Sequence, residues 1–195
     1  MKTLNESDFQ RAATKLGCHV AAVKAVCEVE APNGGFDASG EPRILFEGHK
    51  FSALTKGRYD KTHPTISYPK WVRTFYAKGP TSDARNAGEH QRLAEASALD
   101  RPAALMSASW GKFQIMGANY GSCGYPTLQG FINAMYADEG EHLDAFVGFV
   151  KCENLAQALR DQDWRTFARR YNGPMYADNN YDGKLRDAYA KHARV

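Results

Sequence analysis

The chain has 195 residues, of which 43% are hydrophobic and 24% charged, a composition that excludes a disordered or fibrous protein. The formal net charge of +3 comes from cations scattered among acidic residues, which argues against a nucleic-acid-binding protein and suits an anionic polymer as partner. This length supports one hydrophobic core, so we expect one domain over residues 1–195.

Cysteine, histidine and apolar patterns narrow the class further. The four cysteines are scattered and form no C-x-x-C pair, so we expect reduced thiols rather than a disulfide framework. The histidines show no H-E-x-x-H arrangement, and no metal or organic cofactor is implied. The chain has no apolar run near the roughly 20 residues that a membrane helix needs, and its first residues, MKTLNESDFQ, lack the apolar segment of a signal peptide.

The predicted elements begin with two helices. Ser7 and Gln10 have capping-box spacing and open an apolar pattern that ends at Gly17. A second helix runs from about His19 to Ala31, ahead of a proline and two glycines. Residues 36–76 are expected to form a small irregular lobe, with ILF at 44–46 as its best strand.

Helical patterns dominate the rest of the chain. They are separated by short segments rich in Gly, Pro or Asn, with no repeat or linker between them. The fold class expected is mainly α (α+β), a helical bundle with a small β-containing lobe and a cleft between the two. The predicted helices are Glu89 to Leu99, Thr127 to Val150, Leu155 to Leu159, Trp164 to Tyr171 and Lys184 to Arg194.

Glu30 is the candidate catalytic acid at the end of the second predicted helix. It falls on one apolar stripe with Val20, Val23 and Cys27, whereas Glu28 points to the opposite side. Partial burial and the negative end of the helix dipole both disfavour the anion, and a raised pKa is what a general acid needs at neutral pH. A helix-end glutamate paired with an arginine is the alternative that these residues leave open.

Three segments resemble the N-acetylmuramidase domain of bacteriophage endolysins, and the similarity covers essentially the whole chain: AVCEVEAPNGGFDASGEPRILFEGHKF, SASWGKFQIMGANYGSCGY and DWRTFARRYNGPMYADNNYDGKL. The resemblance implies a lysozyme-like fold and hydrolysis of the bond between N-acetylmuramic acid and N-acetylglucosamine in peptidoglycan, with Glu30 as the acid. We accordingly expect a monomer made in the host cytoplasm without a signal peptide and acting on periplasmic glycan strands, without stable membrane insertion.

The order of Glu30, a segment ending in QIM and a later YNG also resembles lytic transglycosylases and goose-type lysozymes. This likeness implies that residues 109–116 form a cleft wall and that Tyr171 and Asn172 face the acid. A lytic transglycosylase, which leaves 1,6-anhydromuramic ends, therefore stays open as an alternative. A zinc peptidase or amidase and a non-catalytic wall-binding module are the more distant ones.

Glycoside hydrolysis usually pairs the acid with a base or nucleophile. Glu47 is the candidate second catalytic carboxylate, because in an extended segment it shares a side with Leu45; a pair with Arg43 or Arg58 is its alternative. Asp37 is the other candidate for the base or nucleophile and a candidate substrate-binding residue, although FDASGEP is also typical of a turn.

The remaining candidate substrate-binding residues come from the two later motifs. Ser109, Trp110 and Gln114 offer hydrogen bonds and an aromatic ring for stacking on sugar. Tyr171 ends an apolar helical stripe, where its hydroxyl could contact the acid or the substrate; anchoring the helix end is its alternative role. Asn172 completes this set, and no residue is assigned to a metal.

Overall fold

The computed structural model describes residues 3–173, 177 and 179–194. Over these residues the fold is mainly helical with one small antiparallel sheet, which confirms the predicted fold class. The helices are α1 (Glu6–Leu16), α2 (Val20–Glu30), α3 (Gly48–Leu54), α4 (Ser82–Met106), α5 (Leu128–Ala137), α6 (Glu139–Cys152), α7 (Ala156–Arg160), α8 (Trp164–Asn172) and α9 (Tyr181–His192). The strands are β1 (Ile44–Phe46), β2 (Ala108–Trp110) and β3 (Ile115–Met116), in the spatial order β1–β2–β3.

Side-chain caps set several helix boundaries, and two of them differ from the prediction. Asn5 caps α1 and exchanges hydrogen bonds with Asp8, so the capping box lies two residues before the predicted pair of Ser7 and Gln10. The helix predicted over 127–150 is two helices, because Asp138 has an extended backbone (φ −161°, ψ 173°) and caps α6. These short polar caps interrupt helices that apolar periodicity alone would join or shift.

Helix α4 is much longer than the predicted helix over 89–99. Thr81 caps its start by accepting the backbone N–H of Ala84, and its first turns are polar, so apolar periodicity does not mark them. A non-helical backbone at Asp100 (φ −157°), two residues before Pro102, kinks the helix near its end. The extra turns bring α4 alongside β1.

Helix α2 is the centre of the helical lobe. It packs mainly against α9 and α1, and α9 in turn packs against α8. Its small side chains Ala22, Ala25 and Val26 are fully buried, which lets the neighbouring helices approach closely. Because α2 is enclosed on several sides, its last residue, Glu30, is held firmly at the edge of this lobe.

Helix α4 covers the outer edge of the sheet. β1 pairs with β2 on its inner side, so on its outer side two backbone N–H groups need other acceptors. Asn86 Oδ1 accepts the N–H of Ile44 (2.9 Å), and Glu89 Oε2 accepts the N–H of Phe46 (3.0 Å). Two side chains of α4 thus replace a fourth strand and fix the lobe to the helix.

Two further findings bear on the sequence expectations. All four cysteines carry free thiols, and Cys27 and Cys123 are buried. Among the described helices, none has the length and apolar character needed to cross a membrane.

Candidate active site

A cleft of about 400 Å³ lies between the end of α2 and the β-containing lobe. One wall is formed by Glu30 at the end of α2 and by residues 31–34 that follow it. The other walls are formed by residues 43–45 at β1, Tyr76 and Ala77, the first turns of α4, and the turn between β2 and β3. A cleft of this volume can hold a ligand of a few sugar rings. It is open to solvent and therefore suits a polymer that enters and leaves along its length.

Glu30 lies in this cleft as a partly buried carboxyl group. Its Oε1 accepts a hydrogen bond from Asn172 Nδ2 (2.8 Å), which the end of α8 brings to it. Burial raises the pKa of Glu30, while the Asn172 bond and the positive charge of Lys184 only partly oppose that rise. The pKa of Glu30 shifts in the expected direction, and the contact with Asn172 joins two of the predicted site residues; the role of Glu30 as the catalytic acid stays a prediction.

Glu28 lies on the other side of α2, as the helical periodicity predicts. It is exposed, and it pairs with Lys191 (2.9 Å) and His192 (2.8 Å) of α9. These partners lower the pKa of Glu28, the Lys191 bond most strongly. The pKa values of two carboxyl groups only two residues apart therefore shift in opposite directions, because Glu30 is desolvated and Glu28 is hydrogen-bonded to Lys191 and His192.

Tyr171 lies beneath Glu30 within an aromatic cluster. Its ring stacks on Phe167 (5.4 Å between centroids) and meets Phe146 edge-on (5.8 Å), and its hydroxyl donates to the carbonyl of Phe113 (3.5 Å). Burial, with a contribution from the charge of Glu30, raises the pKa of Tyr171, so the phenol stays neutral. This placement matches both the anchoring and the acid-facing alternatives, and a contact of Tyr171 with substrate stays a prediction.

Of the three residues predicted in β2 and the turn that follows it, one lines the cleft. Gln114 lines it, with a left-handed backbone (φ 49°) and its amide donating to the carbonyl of Gly111 (2.9 Å). Ser109 is buried and donates to Gln114 Oε1 (3.0 Å). Trp110 is 1% exposed and donates its indole N–H to the carbonyl of Leu105 (3.1 Å), so its predicted stacking on sugar gains no support.

Glu47 lies behind the cleft wall rather than in it. Its Oε2 accepts the hydroxyl of Tyr76, a residue that lines the cleft, and lies 3.3 Å from His49 Nδ1. Arg43, one of the expected alternative partners of Glu47, pairs with Asp83 instead (2.8 Å). A direct catalytic role for Glu47 stays a prediction, and its contact with the cleft runs through Tyr76.

Asp37 is enclosed by hydrogen-bond donors. It accepts the backbone N–H and hydroxyl of Ser39, the N–H of Glu41 and the Asn86 side chain (2.7 Å). Burial on its own would raise the pKa of Asp37, but these bonds lower it to about 2. The arrangement is that of the turn considered above, and a substrate contact of Asp37 stays a prediction.

The sequence reading missed the polar face that α4 turns toward the cleft. Both oxygens of Glu89 are occupied: Oε1 accepts the N–H of Ala77 (2.6 Å), and Oε2 accepts the N–H of Phe46 and the guanidinium of Arg92 (2.9 Å). Asn86 lies one turn earlier on the same face. The i, i+3 spacing of these two residues was visible, but it carries meaning only if the helix begins near residue 82.

A buried histidine supports the floor of the cleft. His142 Nδ1 accepts the backbone N–H of Lys112 (3.1 Å), and its Nε2–H donates to the carbonyl of Met135 (2.8 Å). Gly111 lies against the imidazole with φ 67°, and a Cβ there would come within 2.8 Å of the ring. Burial lowers the pKa of His142, so the neutral ring is a fixed part of the floor.

Among the residues that the structure describes, the cleft carries three cationic side chains. Arg43, Arg85 and Lys112 all line the cleft, and an anionic polymer would meet them there. Residues 3–173, 177 and 179–194 hold no group of three or more His, Cys, Asp or Glu side chains arranged to bind a metal ion.

Residues 19–193 match the family model of N-acetylmuramidases. The chain belongs to this family. It is a muramidase, a glycoside hydrolase of peptidoglycan, which confirms the family expected from the sequence motifs. The muramidase is also similar to the crystal structure of a Burkholderia AP3 phage endolysin, with 39% identity and a TM-score of 0.90 over 99% of this chain and 73% of the endolysin chain. Among curated proteins, none matches this sequence.

Proposed function

We propose that the muramidase cleaves the β-1,4 bond between N-acetylmuramic acid and N-acetylglucosamine, with Glu30 donating a proton to the leaving oxygen. The observation that carries this proposal is a partly buried carboxyl group with a raised pKa that lines a cleft large enough for a few sugar rings. A carboxyl that keeps its proton toward neutral pH can protonate a glycosidic oxygen as the bond breaks.

The surroundings of Glu30 support its role as proton donor. Asn172 holds Oε1 and so fixes the plane of the carboxyl group, which leaves Oε2 to carry the proton. Tyr171 beneath it has a raised pKa, so it does not compete as an acid or add negative charge. The carboxyl is thus oriented and partly desolvated without a neighbouring anion that would hold its proton by charge alone.

Donation leaves an oxocarbenium-like sugar and a Glu30 carboxylate. The carboxylate can then accept a proton from the attacking nucleophile. Water gives a free reducing end, which we propose as the product. Attack by the C6 hydroxyl of muramic acid would instead give a 1,6-anhydro end, as in a lytic transglycosylase. This is the second candidate because Glu89, the other carboxylate lining the cleft, has both oxygens occupied by hydrogen bonds and is not free to activate a water molecule.

Product analysis on purified sacculi tests the bond and the nucleophile together. After borohydride reduction, mass spectrometry should find muramitol at the new ends; anhydromuramic ends would favour the transglycosylase, and glucosaminitol would contradict the proposed bond. Glu30→Gln keeps the shape of the side chain and should lose about 10²- to 10⁴-fold in activity. Near-normal activity in that variant would overturn the role of Glu30. Activity that persists in EDTA would contradict a zinc peptidase.

We further propose that residues 1–195 act as one monomeric catalytic domain of endolysin type, made in a host cytoplasm and acting on periplasmic peptidoglycan. The similarity to the Burkholderia AP3 phage endolysin supports this setting. Cytoplasmic expression in a Gram-negative host should leave cells intact until the inner membrane is permeabilised, and lysis should then follow. Lysis without permeabilisation would contradict this delivery scheme, and sedimentation would test the monomer.

A further inference from the structure

Trp71 is an exposed aromatic residue beside the cleft. Trp71 is 59% exposed, whereas Trp110 and Trp164 are 1% and 7% exposed. Its ring centroid lies 6.3 Å from that of Tyr76, which lines the cleft, and the two planes are tilted by 57°. Single exposed apolar residues are common, so the position and anchoring of Trp71 carry more weight than its exposure.

Tyr76, the residue that Trp71 packs against, is itself held in place. Its hydroxyl donates to the Glu47 carboxylate, and burial together with that carboxylate raises the pKa of Tyr76. The guanidinium of Arg92 lies over the Tyr76 ring at 5.9 Å. Tyr76 is thus fixed on several sides, and Trp71 rests against it.

Trp71 is therefore largely open to solvent while it packs against a residue of the cleft wall. The apolar C–H face of a sugar ring can pack against a flat aromatic face, and a side chain held in place beforehand loses little entropy on binding. A glycan strand is longer than the 400 Å³ cleft and must leave it at the ends. On the side of Tyr76 and Ala77, the strand would leave past Trp71.

We propose that Trp71 stacks on a sugar ring of the bound glycan strand and forms an outer subsite beyond Tyr76. Tyr76 and Glu47 are positioning residues that keep the indole in place. The inference rests on the proposed function, because its occupant is the same strand whose bond is cleaved next to Glu30. It also gives Glu47 a use that fits its place behind the cleft wall.

Tryptophan fluorescence tests the contact without requiring catalysis. The other two tryptophans are buried, so an emission change on ligand binding should come mainly from Trp71. Peptide-free soluble glycan strands, titrated into Glu30→Gln, should produce a saturable change that the Glu30→Gln, Trp71→Phe double variant lacks. Tyr136→Ala in the same background is the matched control, since Tyr136 is an exposed aromatic that lines a different groove.

Steady-state kinetics test the contribution of the subsite to strand binding. Trp71→Ala should raise KM for long strands about tenfold, with kcat within about twofold of wild type, because the contact is equal in ground and transition states. Trp71→Phe should restore most of the affinity, and short fragments that fill only the cleft should not distinguish the variants. Tyr76→Phe and Glu47→Ala, which remove the two partners of the hydrogen bond that holds Tyr76, should each raise KM less than Trp71→Ala.

The outcomes separate this inference from the proposed function. An unchanged KM in a folded Trp71→Ala, or an emission change that persists in the Trp71→Phe background, would overturn the subsite while leaving Glu30 in place. Failure of Glu30→Gln to bind strands by calorimetry would also count against it. Activity retained in Glu30→Gln would overturn the proposed acid and leave the fluorescence result standing on its own.

Discussion

The end of α2 and the turn at residues 37–42 each bury a carboxyl group, and the two groups have opposite proton affinities. Glu30 is desolvated and receives one side-chain hydrogen bond, from Asn172, and its pKa is raised. Asp37 is buried too, but four hydrogen bonds converge on it and its pKa falls to about 2. Burial alone therefore does not decide which carboxyl keeps its proton, because hydrogen-bond donors that contact the carboxylate lower its pKa. Asp37 receives four such bonds and Glu30 receives one.

Neutralising each carboxyl in turn should affect stability differently at Asp37 and at Glu30. Asp37→Asn places an amide against the Asn86 donor, and we expect a loss of about 1–3 kcal/mol in the free energy of unfolding. Glu30→Gln removes a poorly solvated anion and should leave stability unchanged or higher, although it removes activity. Urea unfolding at pH 8 measures both. Equal destabilisation by the two substitutions would show that the carboxyls are not different in kind.

The acid side of the stability curve should depend on Asp37. Its pKa is lower in the folded state than the ordinary value of about 3.9, so the unfolded chain binds the proton more readily. The stability that Asp37 contributes is present above about pH 4 and is lost as the pH falls toward 2. Between pH 5 and pH 2, wild type should lose more unfolding free energy than Asp37→Asn. If the unfolding free energies of wild type and Asp37→Asn fell in parallel with pH, Asp37 would not be the source of the acid sensitivity.

Asn172→Ala should move the pH–activity profile. In the proposed mechanism the protonated form of Glu30 is the active one, so activity should fall as the pH rises through the pKa of Glu30. Asn172 donates to the carboxylate and lowers that pKa, so removing the donor should move the falling limb of kcat/KM to higher pH. A limb that stays in place or moves to lower pH would contradict the role given to this hydrogen bond.

The smallest effect is expected from Lys184, whose positive charge also lowers the pKa of Glu30. Lys184→Ala should move the same limb to higher pH by less than Asn172→Ala, and added salt should erase the difference because the lysine is exposed. Lys191→Ala is the matched control on the same helix, since Lys191 pairs with Glu28 on the other side of α2. A salt-independent shift would point to a change in packing instead.

Local periodicity predicted that Glu30 lies on the buried side of α2 and Glu28 on the opposite side, because these positions depend only on helix geometry. Strand geometry accounts for one misplacement in the predicted cleft wall. Ser109 and Trp110 are adjacent in β2, where neighbouring side chains point to opposite faces, and only Ser109 reaches Gln114 at the cleft. The sequence offers the small and aromatic residues but not the direction in which the strand presents them.

The residues that the sequence did not reveal depend on distant partners. Asn86 and Glu89 read as ordinary polar positions of a helix until β1 supplies the backbone N–H groups that they accept. The hydrogen bond from the Tyr76 hydroxyl to Glu47, across 29 residues of sequence, is likewise visible only in the fold. Such long-range pairings are not contained in any window of the sequence that periodicity can examine.

The cover that α4 provides for β1 has a consequence for protein engineering. A designer who transplants the sheet lobe onto another scaffold must carry the amide and the carboxylate of α4 at their i, i+3 spacing. Without them, two backbone donors are orphaned, at about 1–3 kcal/mol each, and the bare strand can recruit a strand from a second molecule. The β-containing lobe and this face of α4 must therefore be transferred together.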